Sequence, residues 1–197
     1  MVTVSTSSEA YHHGALREAL VEAGVAALEG PDGAELSLRE LARGVGVSAT
    51  AVYRHFPNKQ ALLNALARRG LEMLGEAQQA ASDTSGGSFA EVGRAYVRFA
   101  LAHPALFRLV FTHAAHGQGA PDESSLAGKL LRQGTAAIAG GPGPEAERLA
   151  LQAWAIAHGV AMLMLDRQLP PDQALIDRLL DTGSLFPAQG IRSEASP

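Results

Sequence analysis

Between residues 38 and 69 the chain carries six basic side chains, Arg39, Arg43, Arg54, Lys59, Arg68 and Arg69, against the single acid Glu40, although the whole 197-residue sequence has a formal net charge of −4. The chemistry open to such a window is electrostatic. An acidic chain with one basic window suits docking a single face on phosphates rather than coating a polyanion. Two histidine pairs, His12-His13 and His113-x-x-His116, invite a metal reading, the second by its i, i+3 spacing. The first sits in a solvated N-terminal stretch, and the second runs into the turn residues Gly117 to Pro121 with no carboxylate obviously paired, so no metal is expected. There is no cysteine, and the sequence holds no GxxxxGK, HExxH or GxSxG. The acids are scattered over helix starts and solvated faces. Neither catalysis nor a cofactor is expected.

The elements that must position the basic residues are legible in Ser37 to Lys59, SLRELARGVGVSATAVYRHFPNK. Ser37 can cap a short helix whose apolar edge is Leu38, Leu41 and Ala42, at i, i+3 and i+4. Gly44 and Gly46 supply a tight turn, with Val47 as the wedge between two helices. Ser48 caps a second helix, Ala49 to His55, with Val52 and Phe56 inward and Thr50, Tyr53 and Arg54 outward. Pro57 stops it and Asn58 caps a third helix, so Lys59 falls in a first turn whose unpaired N–H groups already favour anions. Two helices joined by a small-residue turn can place the second in a DNA major groove about 12 Å wide.

The run Leu41-Ala42, Gly46-Val47-Ser48, Val52-Tyr53, His55-Phe56, Lys59 and Leu62-Leu63 resembles the N-terminal DNA-binding domain of the tetracycline-repressor (TetR) family of bacterial regulators, most strongly over residues 11 to 70. Trp154-x-x-x-His158-Gly159 is similar to a motif of one C-terminal domain class in that family. The resemblance implies a homodimer on a palindromic double-stranded DNA operator. Phosphate positioning would fall to Ser37, Arg39, Tyr53 and Lys59, and base reading to Ala49, Thr50, Arg54 and His55, on a helix started by Ser48. Many relatives have glycine near position 50 and threonine at 51, whereas this chain has Thr50 then Ala51. Few long polar side chains remain on the reading helix, which leaves the operator unread and shifts weight to DNA shape.

The rest of the chain reads as helices, without the β-branched runs bounded by turns that strands require, and the fold class expected is all-α. An N-terminal three-helix DNA-binding domain, residues 11–70, precedes a helical effector-binding and dimerisation domain, residues 71–186, with 1–10 and 187–197 as tails. The first helix carries Leu16, Leu20, Ala23, Ala27 and Leu28 at helical spacing. The third helix runs on from Asn58 toward Ala81, and SDTSGGS, residues 82–88, is the seam. Beyond it Phe89, Val92, Tyr96, Phe99 and Ala100 give an apolar face, as do Leu126, Leu130, Leu131, Ala137 and Ile138 on a later helix. The helix from Glu145 to Arg167 is apolar almost all round, so a second copy of the chain is its natural cover, together with the helix from Asp172 to Asp181. Its longest nearly apolar run, Ala153 to Leu165, falls short of the roughly twenty residues needed to cross a bilayer, and the N-terminus lacks a secretion signal. A cytoplasmic protein is expected. By resemblance, the C-terminal part would bind a small apolar effector at Phe99, Leu106, Phe107, Phe111, Trp154, His158 and Met162, aromatics with polar tips that suit such a ligand. The alternative is a helical DNA-binding regulator controlled by a protein partner, or constitutive.

Overall fold

The computed structural model describes residues 7–30, 36–113 and 124–185, which hold ten helices and no strand. They are α1 (Ser7–Leu28), α2 (Leu38–Val45), α3 (Ala49–His55), α4 (Lys59–Thr84), α5 (Phe89–Ala102), α6 (Pro104–His113), α7 (Leu126–Ala139), α8 (Pro144–Leu165), α9 (Gln173–Leu179) and α10 (Thr182–Leu185). The side chains of both histidine pairs, and the N- and C-terminal tails 1–6 and 186–197, lie outside what is described.

The chain divides into two compact units. The first comprises residues 1–75 and 102–127, and therefore includes α6 as well as α1, α2 and α3; the second comprises 76–101 and 128–197. α4 contributes Lys59 to Gly75 to one and Glu76 to Thr84 to the other. It ends later than the SDTSGGS stretch suggests, because Ser82 accepts the Gly87 N–H at 2.8 Å while Gly86 and Gly87 take positive φ, closing the helix with glycine where a side chain would be strained.

In the first unit α1 buries Leu20, Val21, Gly24 and Val25 and leaves Ala27 exposed, so its inward face is rotated from the one its leucine and alanine spacing suggests. The close approach of α4 decides this: a Cβ at Gly24 would stand 2.8 Å from a Leu66 methyl. Gly70 does the same for α6, where a Cβ would stand 2.7 Å from Val110 Cγ2 and 2.9 Å from Leu106 Cγ. Two polar ties complete the unit: Glu29 Oε1 accepts the Leu106 N–H at 2.9 Å, and Arg69 Nε donates to Glu22 at 2.8 Å.

In the second unit α5 buries Val92, Ala95, Tyr96, Val97, Phe99 and Ala100. α7 packs so closely on it that a Cβ at Gly134 would collide with the Phe89 ring. Ile138 and Ala137 are exposed instead of buried, and the inward residues of that helix are Gly128, Leu130 and Thr135. α8 begins at Pro144, nine residues before the apolar run noted in the sequence. At 22 residues it is long and apolar enough to cross a membrane by length and composition, correcting the thirteen-residue reading; 33% of its most apolar window is buried within the chain.

Candidate nucleic-acid interface

The helix-turn-helix is built from local capping. Ser37 precedes α2 in extended conformation, φ −112° and ψ 129°, but its hydroxyl makes no cap hydrogen bond; the turn is closed by its carbonyl, which accepts the Leu41 N–H at 2.9 Å. Gly46 ends the helix in the left-handed region at φ 75°, and Val47 N–H reaches back to Ala42 O at 2.9 Å. Gly44 lies within α2 and needs no special conformation. Ser48 caps α3 through its side chain, Oγ accepting from Ala51 N–H at 3.2 Å. Val52 and Phe56 are fully buried, and Arg17 of α1 lies over the Phe56 ring at 5.3 Å.

That burial decides which face of α3 looks outward. Thr50, Tyr53 and Arg54 are exposed at i, i+3 and i+4, while Ala49, Ala51 and His55 are partly buried. Pro57 follows, and Asn58 Oδ1 accepts the Ala61 N–H at 2.8 Å, so Asn58 caps α4 and Lys59 is its first residue.

These pieces meet in one place. An open cleft of about 1000 Å³ is lined by Leu36, Ser37, Leu38, Arg39, Glu40, Tyr53, Pro57, Asn58 and Lys59. The four residues assigned to phosphate from the sequence, Ser37, Arg39, Tyr53 and Lys59, thus share one wall although they come from three helix starts and ends. Arg39, Arg43, Arg54 and Lys59 enter no ion pair among the described residues, so their charge is available. Glu40 lies in the same cleft and makes it unevenly positive. Arg69, counted in the basic window, is committed to Glu22 and Glu72 at 2.8 and 3.8 Å. A concave wall combining a guanidinium, an ammonium at a helix start and two hydroxyls has the chemistry to seat phosphate oxygens, with the α3 face beside it.

The residues assigned to an effector are distributed over both units. Leu106, Phe107 and Phe111 lie in the first unit, the first two fully buried and the two rings 4.9 Å apart. Phe99, Trp154, His158 and Met162 lie in the second. There the Tyr96 hydroxyl meets His158 Nδ1 at 2.9 Å, and the Trp154 and His158 ring centroids are 5.8 Å apart. Burial pushes the Tyr96 phenol well above its ordinary value, against a weaker pull from a Trp154 hydrogen bond, and burial also pushes the His158 imidazole down, so both are neutral at pH 7. Tyr96 was read from the sequence only as part of an apolar face; the signal missed was a phenol three residues before Phe99 whose hydroxyl, once buried, must find a partner.

A family sequence model described as bacterial regulatory proteins, tetR family, matches residues 17–66, and one described as tetracyclin repressor-like, C-terminal domain, matches residues 89–183. Among solved structures, a protein of unknown function from Rhodococcus sp. RHA1 is 36% identical, with 88% of this chain and 94% of that one covered and a TM-score of 0.65. A second, described as a regulatory protein, is 25% identical over 89% of this chain and 97% of its own, with a TM-score of 0.63. A tetR-family transcriptional regulator from Streptomyces coelicolor shares the fold at 22% identity, TM-score 0.60, with 85% and 78% covered. No curated protein matches the chain.

Proposed function

The chain belongs to the TetR family of bacterial regulatory proteins and is a DNA-binding transcriptional regulator; from that premise we propose that it is a repressor, acting as a homodimer on a palindromic operator and released by a small apolar effector. The observation that most supports the operator-binding half is the shared wall of Ser37, Arg39, Tyr53 and Lys59, beside the exposed Thr50 and Arg54 of α3. In this reading those four residues hold phosphates and set the register. Ala49, Thr50, Arg54 and His55 face base edges, Thr50 offering a hydroxyl or a methyl, and Ser48 holds the start of the reading helix. The DNA-binding domain is taken as residues 11–70 and the effector and dimerisation domain as 71–186.

The dimer reading is supported by α8. Leu151 and Leu163 are 53% and 44% exposed, Ala155 and Gly159 lie between them at four-residue intervals, and a Cβ at Gly159 would meet nothing within 4 Å. An apolar stripe with small residues at its centre suits close packing against its own copy. The effector reading is supported by the meeting of Tyr96 and Trp154 with His158 in the second unit, to which Phe99 and Met162 also belong, and does not depend on Leu106, Phe107 or Phe111. An effector that favours a different tilt of α4 would misalign reading helices that must match half-sites about 34 to 36 Å apart. A coupling of about 1 to 3 kcal/mol changes affinity roughly 5- to 150-fold, enough for release.

The test is selection of bound genomic fragments by the purified chain at physiological salt, repeated with candidate small molecules. The expected result is a set of fragments sharing an inverted repeat, with recovery lowered by at least one apolar compound. Recovery of fragments without a common element would refute operator binding.

A further inference from the structure

We propose that Gln78 is the polar anchor of the effector site, and that the effector is an uncharged, mainly apolar molecule carrying an N–H or O–H donor; this rests on the effector reading above. Gln78 lies on α4 within the second unit and is 5% exposed. Its Nε2 donates to the carbonyl of Val92 at 3.1 Å. A carbonyl can only accept, so this bond settles which end of the amide is nitrogen and turns Oε1 the other way. Oε1 is shielded from solvent and has no hydrogen-bond partner among the described residues. A buried acceptor left unmatched is costly to a folded chain and is retained where something else satisfies it.

The Val92 bond ties Gln78 to the helix that carries Tyr96. Val92 and Tyr96 are one turn apart on α5, so the Gln78 amide is held on the α5 backbone one turn before Tyr96, whose phenol meets His158 at 2.9 Å, and the His158 ring lies 5.8 Å from that of Trp154. Gln78, Tyr96, Trp154 and His158 carry no charge at pH 7, His158 and Tyr96 being held neutral by burial. The charged groups of the same region are paired by charge: Arg94 with Glu91 at 2.6 Å and Asp177 at 3.1 Å, and Arg98 with Glu91 at 3.1 Å, although the buried Arg94 Nε, like Gln78 Oε1, has no hydrogen-bond partner among the described residues. A carboxylate or phosphate ligand would therefore have to displace an ion pair to find a cation, and an ammonium would have to do so to find an anion. A neutral donor has an acceptor waiting in Gln78 Oε1 and rings to cover its apolar part.

The experiment titrates the full chain with acetanilide, N-methylacetanilide, phenol, anisole and benzoate, followed by the fluorescence of Trp154, the sole tryptophan, in the unsubstituted protein and in Gln78→Met. Acetanilide and phenol are expected to bind about 10-fold tighter than their methylated partners and than benzoate, a preference of the size one hydrogen bond to a buried acceptor confers. Gln78→Met keeps the length and removes the acceptor, so it should erase the preference while leaving the weaker binding of the methylated probes. It should also melt no lower than the parent, since the unmatched oxygen is gone. Equal binding within each pair would overturn the anchor and leave the effector reading standing. Absence of any response to all five probes would count against both. A Gln78→Met protein that melts several degrees lower would make Gln78 a structural strut and overturn the proposal by itself.

Discussion

Replacing Lys59 with alanine isolates the electrostatic part of the operator reading. Lys59 is the first residue of α4, exposed, in no ion pair among the described residues, and its neighbour Asn58 supplies the cap, so the substitution removes a charge without removing the helix start. If each subunit's Lys59 neutralises one phosphate, a dimer loses two contacts, and the log-log dependence of affinity on salt should flatten by roughly 1.8 units, from a parent slope of about −5 to −7. Raising salt from about 50 to about 200 mM should then narrow the gap between parent and variant roughly 12-fold. The loss should be similar on operator and unrelated DNA, because a phosphate contact carries no sequence information. Fluorescence-anisotropy titrations on both duplexes over that salt range, with circular dichroism to verify the fold, measure all three. An unchanged slope, or a loss confined to the operator, would refute the placement of Lys59 on phosphate.

Gly70→Ala should destabilise the first unit by about 0.5 to 2 kcal/mol in urea unfolding, since overpacking against Leu106 and Val110, 0 and 1% exposed, costs about 1 to 3 kcal/mol while helix propensity returns up to about 1 kcal/mol; a more stable variant would contradict the close α4–α6 approach. On the dimer proposed above, Leu151→Glu with Leu163→Glu should sediment as a monomer where the parent sediments as a dimer and should weaken operator binding, whereas a dimer that survives both substitutions would refute an interface on α8. His158, held neutral by burial, has a folded pKa below its ordinary 6.5, so the unfolded chain takes up the proton first as pH falls. The stability it contributes is present above pH 6.5 and is lost as pH drops through the folded value; His158→Gln should remove that part of the pH dependence of melting, and an unaltered profile would show that His158 is not its source.

What the sequence by itself determined is whatever near neighbours encode. Ser48, Pro57 and Asn58 mark helix ends because a cap or a missing N–H acts within four residues, and Val52 and Phe56 specify the buried side of α3, so the outward Thr50, Tyr53 and Arg54 follow from spacing alone. Only the tertiary structure decided which distant groups meet. The inward face of α1 turned to Val21, Gly24 and Val25 because α4 approaches through glycine, and Arg69 was withdrawn from the basic surface by Glu22, 47 positions away. Ser37 and Arg39 joined Tyr53 and Lys59 in one wall, Tyr96 found His158 across 62 positions, and Gln78 was left with one unmatched oxygen. Such pairings depend on how whole helices pack, on shape and on where a small residue permits contact, and periodicity along a single helix carries no record of them.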